Sequence, residues 1–206
     1  MIDQPFAKFI ESVAAKTPTP GGGACAAMAA AMGTALFVMV VRFSRGKKAN
    51  AEHEDELAEA EALLDDHLRR IVPMGGRDCA AYDLVSSAYG LPKQTEEEKV
   101  IRAKAVEEAM IGAMIVPEET MCMIRDVFTA VDRVVTCVNK NIVSDLGSGA
   151  ELLRAGAESA YFNVRINAAF LKNQKLAKTT LSGTLAVRDE IQRHHDSIRR
   201  VVDGLL

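Results

Sequence analysis

The stretch TPTPGGGACAAMAAAMGTALFVMVV, residues 17–41, decides the fold. Two prolines and three glycines make a rigid turn, and the 18 residues from Ala24 to Val41 then carry no charge. Alanine is the strongest helix former and has little side-chain bulk, so a neighbouring backbone can come close. Eighteen uncharged residues is also just the length that crosses a bilayer. The alanine content, the interruption at Gly33-Thr34 and the lack of a second such stretch favour another reading. They point to a central helix of a soluble protein, covered on nearly every side.

Helical periodicity extends outward from this segment in both directions, and strand alternation is nearly absent. Phe6, Phe9, Ile10 and Val13 mark one face of a first helix. Gly46 suits a left-handed C-terminal cap after about Ser44. Residues 50–72 predict an amphipathic helix with Leu57, Leu64, Leu68 and Ile71 inward, broken by Pro73 and Gly75-Gly76. A helix from about Arg77 to Tyr89 follows, then a loop at Leu91-Pro92-Lys93. Thr95 and Glu98 form a capping-box sequence at the next helix start. Pro117 is expected to kink that helix or to restart a new one. Asn139–Asp145 reads as a polar turn in which Ser144 or Asp145 caps a helix over about 145–172. A last amphipathic helix covers about 175–203. No linker or repeat divides residues 1–206. The expected architecture is therefore one all-α domain, an up-and-down helical bundle around the long Ala-rich helix.

The composition is 49% hydrophobic but only 5% aromatic, which favours helix packing over sheets. The net charge of −3 supplies no basic field for nucleic acid. Cys25, Cys79, Cys122 and Cys137 form no CxxC pair and have no histidine at zinc-ligand spacing. They read as reduced thiols of a cytoplasmic protein. His53, His67, His194 and His195 read as solvated, and no metal site is expected.

Several groups could carry chemistry. Gly21, Gly22 and Gly23 precede a helix N-terminus whose N–H groups lack partners, so an anion or oxyanion could sit there; the loop chemistry alone favours a tight turn with close helix packing. Lys47 and Lys48, with Arg42 and Arg45, either complement the helix dipole or meet an acidic ligand tail. Asp78 and Tyr82 are i and i+4 and share a helical face. Asp83 lies about 140° from Asp78 around the axis and belongs to a different surface. Asn139, Asn141, Ser144 and Asp145 form a polar cluster between apolar helices. Asn163 and Asn167, also i and i+4, can bond a ligand or another helix.

In order and spacing these segments resemble the formiminotetrahydrofolate cyclodeaminase and methenyltetrahydrofolate cyclohydrolase family. The resemblance rests on Thr17–Gly23, Gly46-Lys-Lys48, Asp78-Cys-Ala-Ala-Tyr-Asp83 and Ala88-Tyr-Gly-Leu-Pro-Lys93. It continues through Glu98-Lys99, Val116-Pro117, Asn141–Gly147 and Asn163–Asn167. Departures occur at Phe43-Ser-Arg45, Ala49, Ala80 and Glu118, and are expected to touch the pocket edge. The resemblance implies an all-α homodimer with no tightly bound cofactor, acting on a tetrahydrofolate derivative. Family members expel ammonia from 5-formiminotetrahydrofolate or hydrolyse 5,10-methenyltetrahydrofolate. A short chain without a transferase domain looks more like the hydrolases, and a folate-binding dimer without activity is a third reading. Carried onto this sequence, Asp78 is the first choice of base or electrostatic partner, with Asp145 and then Asp83 behind it. Gly21–Gly23 would place the pterin, Lys47 and Lys48 would meet the glutamate tail, and Tyr82, Asn141 and Asn163 would touch the substrate.

Overall fold

The structure, a computed structural model, describes residues 5–206. Helices α1 (Phe6–Ala14), α2 (Gly22–Ser44), α3 (Glu54–Ile71) and α4 (Met74–Tyr89) are followed by α5 (Glu96–Asp132), α6 (Val143–Ala169) and α7 (Gln174–Leu205). Short 3₁₀ turns occupy Lys48–His53, Val135–Cys137 and Lys140–Ile142, and no strand occurs among the described residues. The all-α expectation holds.

α2 and α6 form the centre and run antiparallel, Gly22 lying beside Asn163 and Gly33 beside Gly149. Their backbones touch because glycine stands at each crossing point. A Cβ on Gly33 would meet the Gly149 carbonyl at 2.8 Å and Leu153 Cγ at 2.7 Å. A Cβ on Gly149 would meet the Phe37 ring at 2.8 Å, and one on Gly156 the Ala26 carbonyl at 3.0 Å. Phe37 then fills the space beside this seam, edge-on to Phe128 of α5, their centroids 5.9 Å apart. α2 is long and apolar enough to cross a membrane, with a mean hydropathy of 2.2 over its best 18 residues. Here it is the covered core helix, packed by α3, α4, α5 and α6. Its buried Thr34 hydroxyl donates to the Ala30 carbonyl at 2.8 Å.

Pro117 does not restart a new helix; α5 is continuous through residue 117. Proline cannot donate to the carbonyl four residues back, which is Ala113. Asn167 of α6 replaces the missing donor, its Nδ2 reaching the Ala113 oxygen at 2.9 Å. Gly75 and Gly76 do not break the chain either. They lie in the first turn of α4, after Pro73 at its N-cap, so the break is Pro73 alone. α6 begins at Val143, and neither Ser144 nor Asp145 caps it, because both are already inside the helix. The capping box of Thr95 and Glu98 forms at the start of α5, and Gly46 takes the left-handed conformation after α2, φ 65°.

Two expectations about charge change. Arg42 and Arg45 are not free for a ligand: Arg42 bonds Glu61 and Asp65, and Arg45 bonds Glu54 and Glu61, tying α2 to α3. The histidines are not all solvated. His67 and His195 are buried, His195 against Glu151, and His194 pairs with Asp132. Burial pushes His67 below the usual imidazole range, toward the neutral ring.

The seam gives an opposed pair of outcomes. Gly33→Ala should cost about 1–3 kcal/mol in urea unfolding, because backbone and Leu153 must move. Gly183→Ala, whose Cβ meets nothing within 4 Å on α7, should gain about 0.5–1 kcal/mol from helix propensity alone. Equal effects at both sites would show that the α2–α6 approach is not tight.

Candidate active site

The N-terminal end of α2 opens into a cavity of about 570 Å³, within the range of small-molecule sites. One face of α4 supplies Asp78, Tyr82, Val85, Ser86 and Tyr89, the spacing of a single helical stripe. α6 supplies Asn163, Ile166 and Asn167 opposite, with Phe170 just past its end, and α5 contributes Met110 and Ala113. Pro18, Thr19 and Gly21–Gly23 close one side. Among these lining residues Asp78 is the only acid, and no Lys, Arg or His joins it.

Asp78 is held by the turn of glycines. A Cβ on Gly23 would overlap the Asp78 carboxylate, lying 2.7 Å from Oδ2 and nearer still to Oδ1. Glycine is therefore needed at 23 for close approach, not for a special φ. The Ala24 N–H at the first turn of α2 lies against the carboxylate and favours its charged form. Burial raises the Asp78 carboxyl above the usual carboxylate range, and the Ala24 N–H opposes that only in part. Burial, reinforced by the Asp78 charge, also raises the Cys25 and Cys79 thiols, which stay protonated neighbours rather than nucleophiles. On α6, Asn163 donates to the Ser159 carbonyl at 2.8 Å, which fixes its amide beside Gly22.

The candidate residues fall into two groups. Gly21, Gly22, Gly23, Asp78, Tyr82 and Asn163 share the cavity. Lys47, Lys48, Asn141 and Asp145 lie at the other end of α2, about 33 Å away by helix rise, where Asn139 joins Ser44 and Phe43. Lys47, Lys48 and Asn141 are exposed there. Asp83 is exposed on α4 and outside the cavity. The departures from the family pattern do not touch the pocket edge: none of Phe43, Ser44, Arg45, Ala49, Ala80 and Glu118 lines it. Glu118 instead lines a separate, open hollow with Arg69, Arg70 and Asp126, where burial raises its carboxyl. One grouping invisible in sequence spacing brings ligand atoms of His53, Glu56 and Cys137 within 4.8 Å of one another, at the far end.

A sequence profile described as formiminotransferase-cyclodeaminase matches residues 5–184. The chain belongs to that family. It is 38% identical over 173 residues to a methenyltetrahydrofolate cyclohydrolase of Methylorubrum extorquens, covering 84% of this chain and 83% of that one. It is 32% identical to the formimidoyltransferase-cyclodeaminase of Mus musculus over 81% of this chain, but spans only 31% of that longer protein. A formiminotetrahydrofolate cyclodeaminase from Thermotoga maritima has the same fold, TM-score 0.88 at 25% identity, over 98% of this chain and 97% of that one.

Within this formiminotransferase-cyclodeaminase domain, several lining residues are not among the candidate site residues read from the sequence. Val85 and Tyr89 continue the Asp78–Tyr82 stripe at i+7 and i+11, so extending that face along α4 finds them. Ile166 follows Asn163 in the same way on α6, and Phe170 just past its end. Met110 and Ala113 come from a third helix, and no local spacing marks them.

The raised pKa has a sign that can be measured. A folded-state pKa above the unfolded one favours the neutral carboxyl, so its contribution to stability is full at low pH. It is lost as pH rises through the folded value. Asp78→Asn removes that loss. The melting temperature of the variant minus that of the natural protein should therefore grow between about pH 4 and about pH 7. A difference that stays constant or shrinks would mean the carboxylate is well solvated or better stabilised than its burial implies.

Proposed function

We propose that the protein is a methenyltetrahydrofolate cyclohydrolase, hydrolysing 5,10-methenyltetrahydrofolate to 10-formyltetrahydrofolate in the cytoplasm. The observation that carries this reading is the single carboxylate in an otherwise uncharged cavity walled by tyrosines and aliphatic side chains. The methenyl substrate is a flat cation, whose charge lies on the N5–C–N10 amidinium. A lone desolvated carboxylate matches that charge more strongly than it would in water. The similarity to the Methylorubrum protein supports the same choice.

In the proposed reaction, a water oxygen adds to the amidinium carbon and Asp78 accepts one of its protons. The carbon–N5 bond then breaks, N5 takes the remaining hydroxyl proton, and the carbonyl of the formyl group forms on N10. The proton on Asp78 passes to solvent, so one cation and one water give the neutral product and one proton. The N–H groups of Gly22 and Gly23, which have no partners within α2, face the growing negative charge on oxygen. Tyr82 and Asn163 orient the pterin.

The same carboxyl supports a second reaction. A raised pKa lets Asp78 deliver a proton to a departing amine, which is what cyclisation of 5-formiminotetrahydrofolate with ammonia release requires. The Thermotoga similarity gives that reading its standing. A homodimer belongs to either reading. Phe162, Ile166 and Phe170 leave an apolar stripe exposed beside the cavity. Lys47, Lys48, Asn141 and Asp145 could reach a cavity only on a second chain. A species of one chain mass by light scattering at micromolar concentration would contradict the dimer.

Asp78→Asn should lower turnover of 5,10-methenyltetrahydrofolate, followed by its absorbance, by roughly 100- to 10,000-fold. Folate binding should change far less, because the loss is specific to the transition state. Turnover near that of the natural protein would remove Asp78 from the mechanism. Conversion of the formimino compound alone, with ammonia release, would replace the hydrolase reading by the deaminase one.

A further inference from the structure

No described residue lining the cavity is a cation, yet a folate carries carboxylates on its glutamate tail. Resting on the folate reading above, we infer that Arg102 is the receptor for the first tail carboxylate, at the mouth of the cavity.

Arg102 lies early in α5 and reaches across the loop to the last residue of α4. Its guanidinium sits 5.4 Å from the centre of the Tyr89 ring, and Tyr89 lines the cavity. Nε and Nη2 both donate to the Tyr89 carbonyl, at 3.3 and 3.1 Å. That carbonyl is among the last of α4 and has no partner within the helix. The contact fixes the plane of the guanidinium against the ring, so little freedom remains to be lost on binding.

What is left over points to a ligand. A guanidinium has five N–H donors, and two are used here. Among the described residues, none of the other three meets a protein acceptor and no carboxylate pairs with Arg102. Arg42, Arg45, Arg77, Arg125, Arg188 and Arg199 all hold acids; Arg165, Arg193 and Arg200, like Arg102, hold none among the described residues, and Arg102 is set apart by its contact with the cavity-lining Tyr89. Among the described residues Arg102 is thus a positioned cation with no acid partner and with Nη1 free, set against the cavity-lining Tyr89. A planar carboxylate suits the free edge of the fork. Lys47 and Lys48 cannot serve this cavity from the same chain.

A purely structural role for Arg102, as a cap on α4, makes different predictions. The test compares 5-formyltetrahydrofolate with the same compound lacking its glutamate, binding to the natural protein, Arg102→Met, Arg102→Lys and Lys47→Ala/Lys48→Ala. The natural protein should prefer the glutamate-bearing compound. Arg102→Met should weaken that compound by about 10- to 100-fold and the truncated one by less than about 2-fold, erasing the preference. Arg102→Lys should recover part of it, and added salt should reduce it. Equal weakening of both compounds, with a lowered melting temperature, would mean that Arg102 only caps α4 and would overturn the inference. A preference that survives Arg102→Met and vanishes in the double lysine variant would overturn it in favour of the far-end lysines. Failure of both compounds to bind the natural protein would overturn the folate reading itself, and the inference with it.

Discussion

The carboxylate of Asp78 occupies the space that a side chain on residue 23 would fill. Most of the architecture serves that contact. α4 can lay an acid on the first turn of α2 only if glycine stands there. α2 is held in place chiefly by α6, which runs beside it along its length. Gly33, Gly149 and Gly156 let α6 do so with backbone against backbone. Burying a carboxylate costs free energy, and here the Ala24 N–H and the positive end of the α2 dipole offset part of the cost. The remainder appears as the raised pKa, which makes the acid a stronger base and also leaves it a liability to the fold.

That division of labour separates charge along the ligand's path. On the proposed function, one negative group deep in the cavity faces a substrate that is cationic at its reacting carbon. A cation placed there would neutralise Asp78 and repel the amidinium, so the walls are tyrosine, aliphatic or amide instead. On the same reading, recognition of an anionic tail is displaced to the rim, where Arg102 rests on Tyr89. The aromatic ring lies between the two regions.

Much of this was legible in the sequence because helices write their periodicity locally. The Ala-rich segment, the capping box and the shared face of Asp78 and Tyr82 all follow from neighbours within a few turns. What failed to show needed distant partners. Continuity through Pro117 depends on Asn167, fifty residues later, supplying a donor to Ala113. The pairing of Arg42 and Arg45 with α3 turned an apparent basic patch into internal ion pairs. The separation of Lys47, Lys48 and Asp145 from Asp78 follows from the antiparallel course of α2 and α6, which no motif encodes. Gly75 and Gly76 misled because glycine in a helix's first turn has little to disrupt.

The most direct measurement is the turnover of 5,10-methenyltetrahydrofolate by Gly23→Ala, made alone and together with Asp78→Asn. A Cβ at 23 must push the carboxylate out of its seat. The account predicts a loss comparable to that of Asp78→Asn, retained helical circular dichroism, and little further loss when the two changes are combined, since both remove the same interaction. Turnover by Gly23→Ala close to that of the natural protein, or losses that simply multiply, would contradict it.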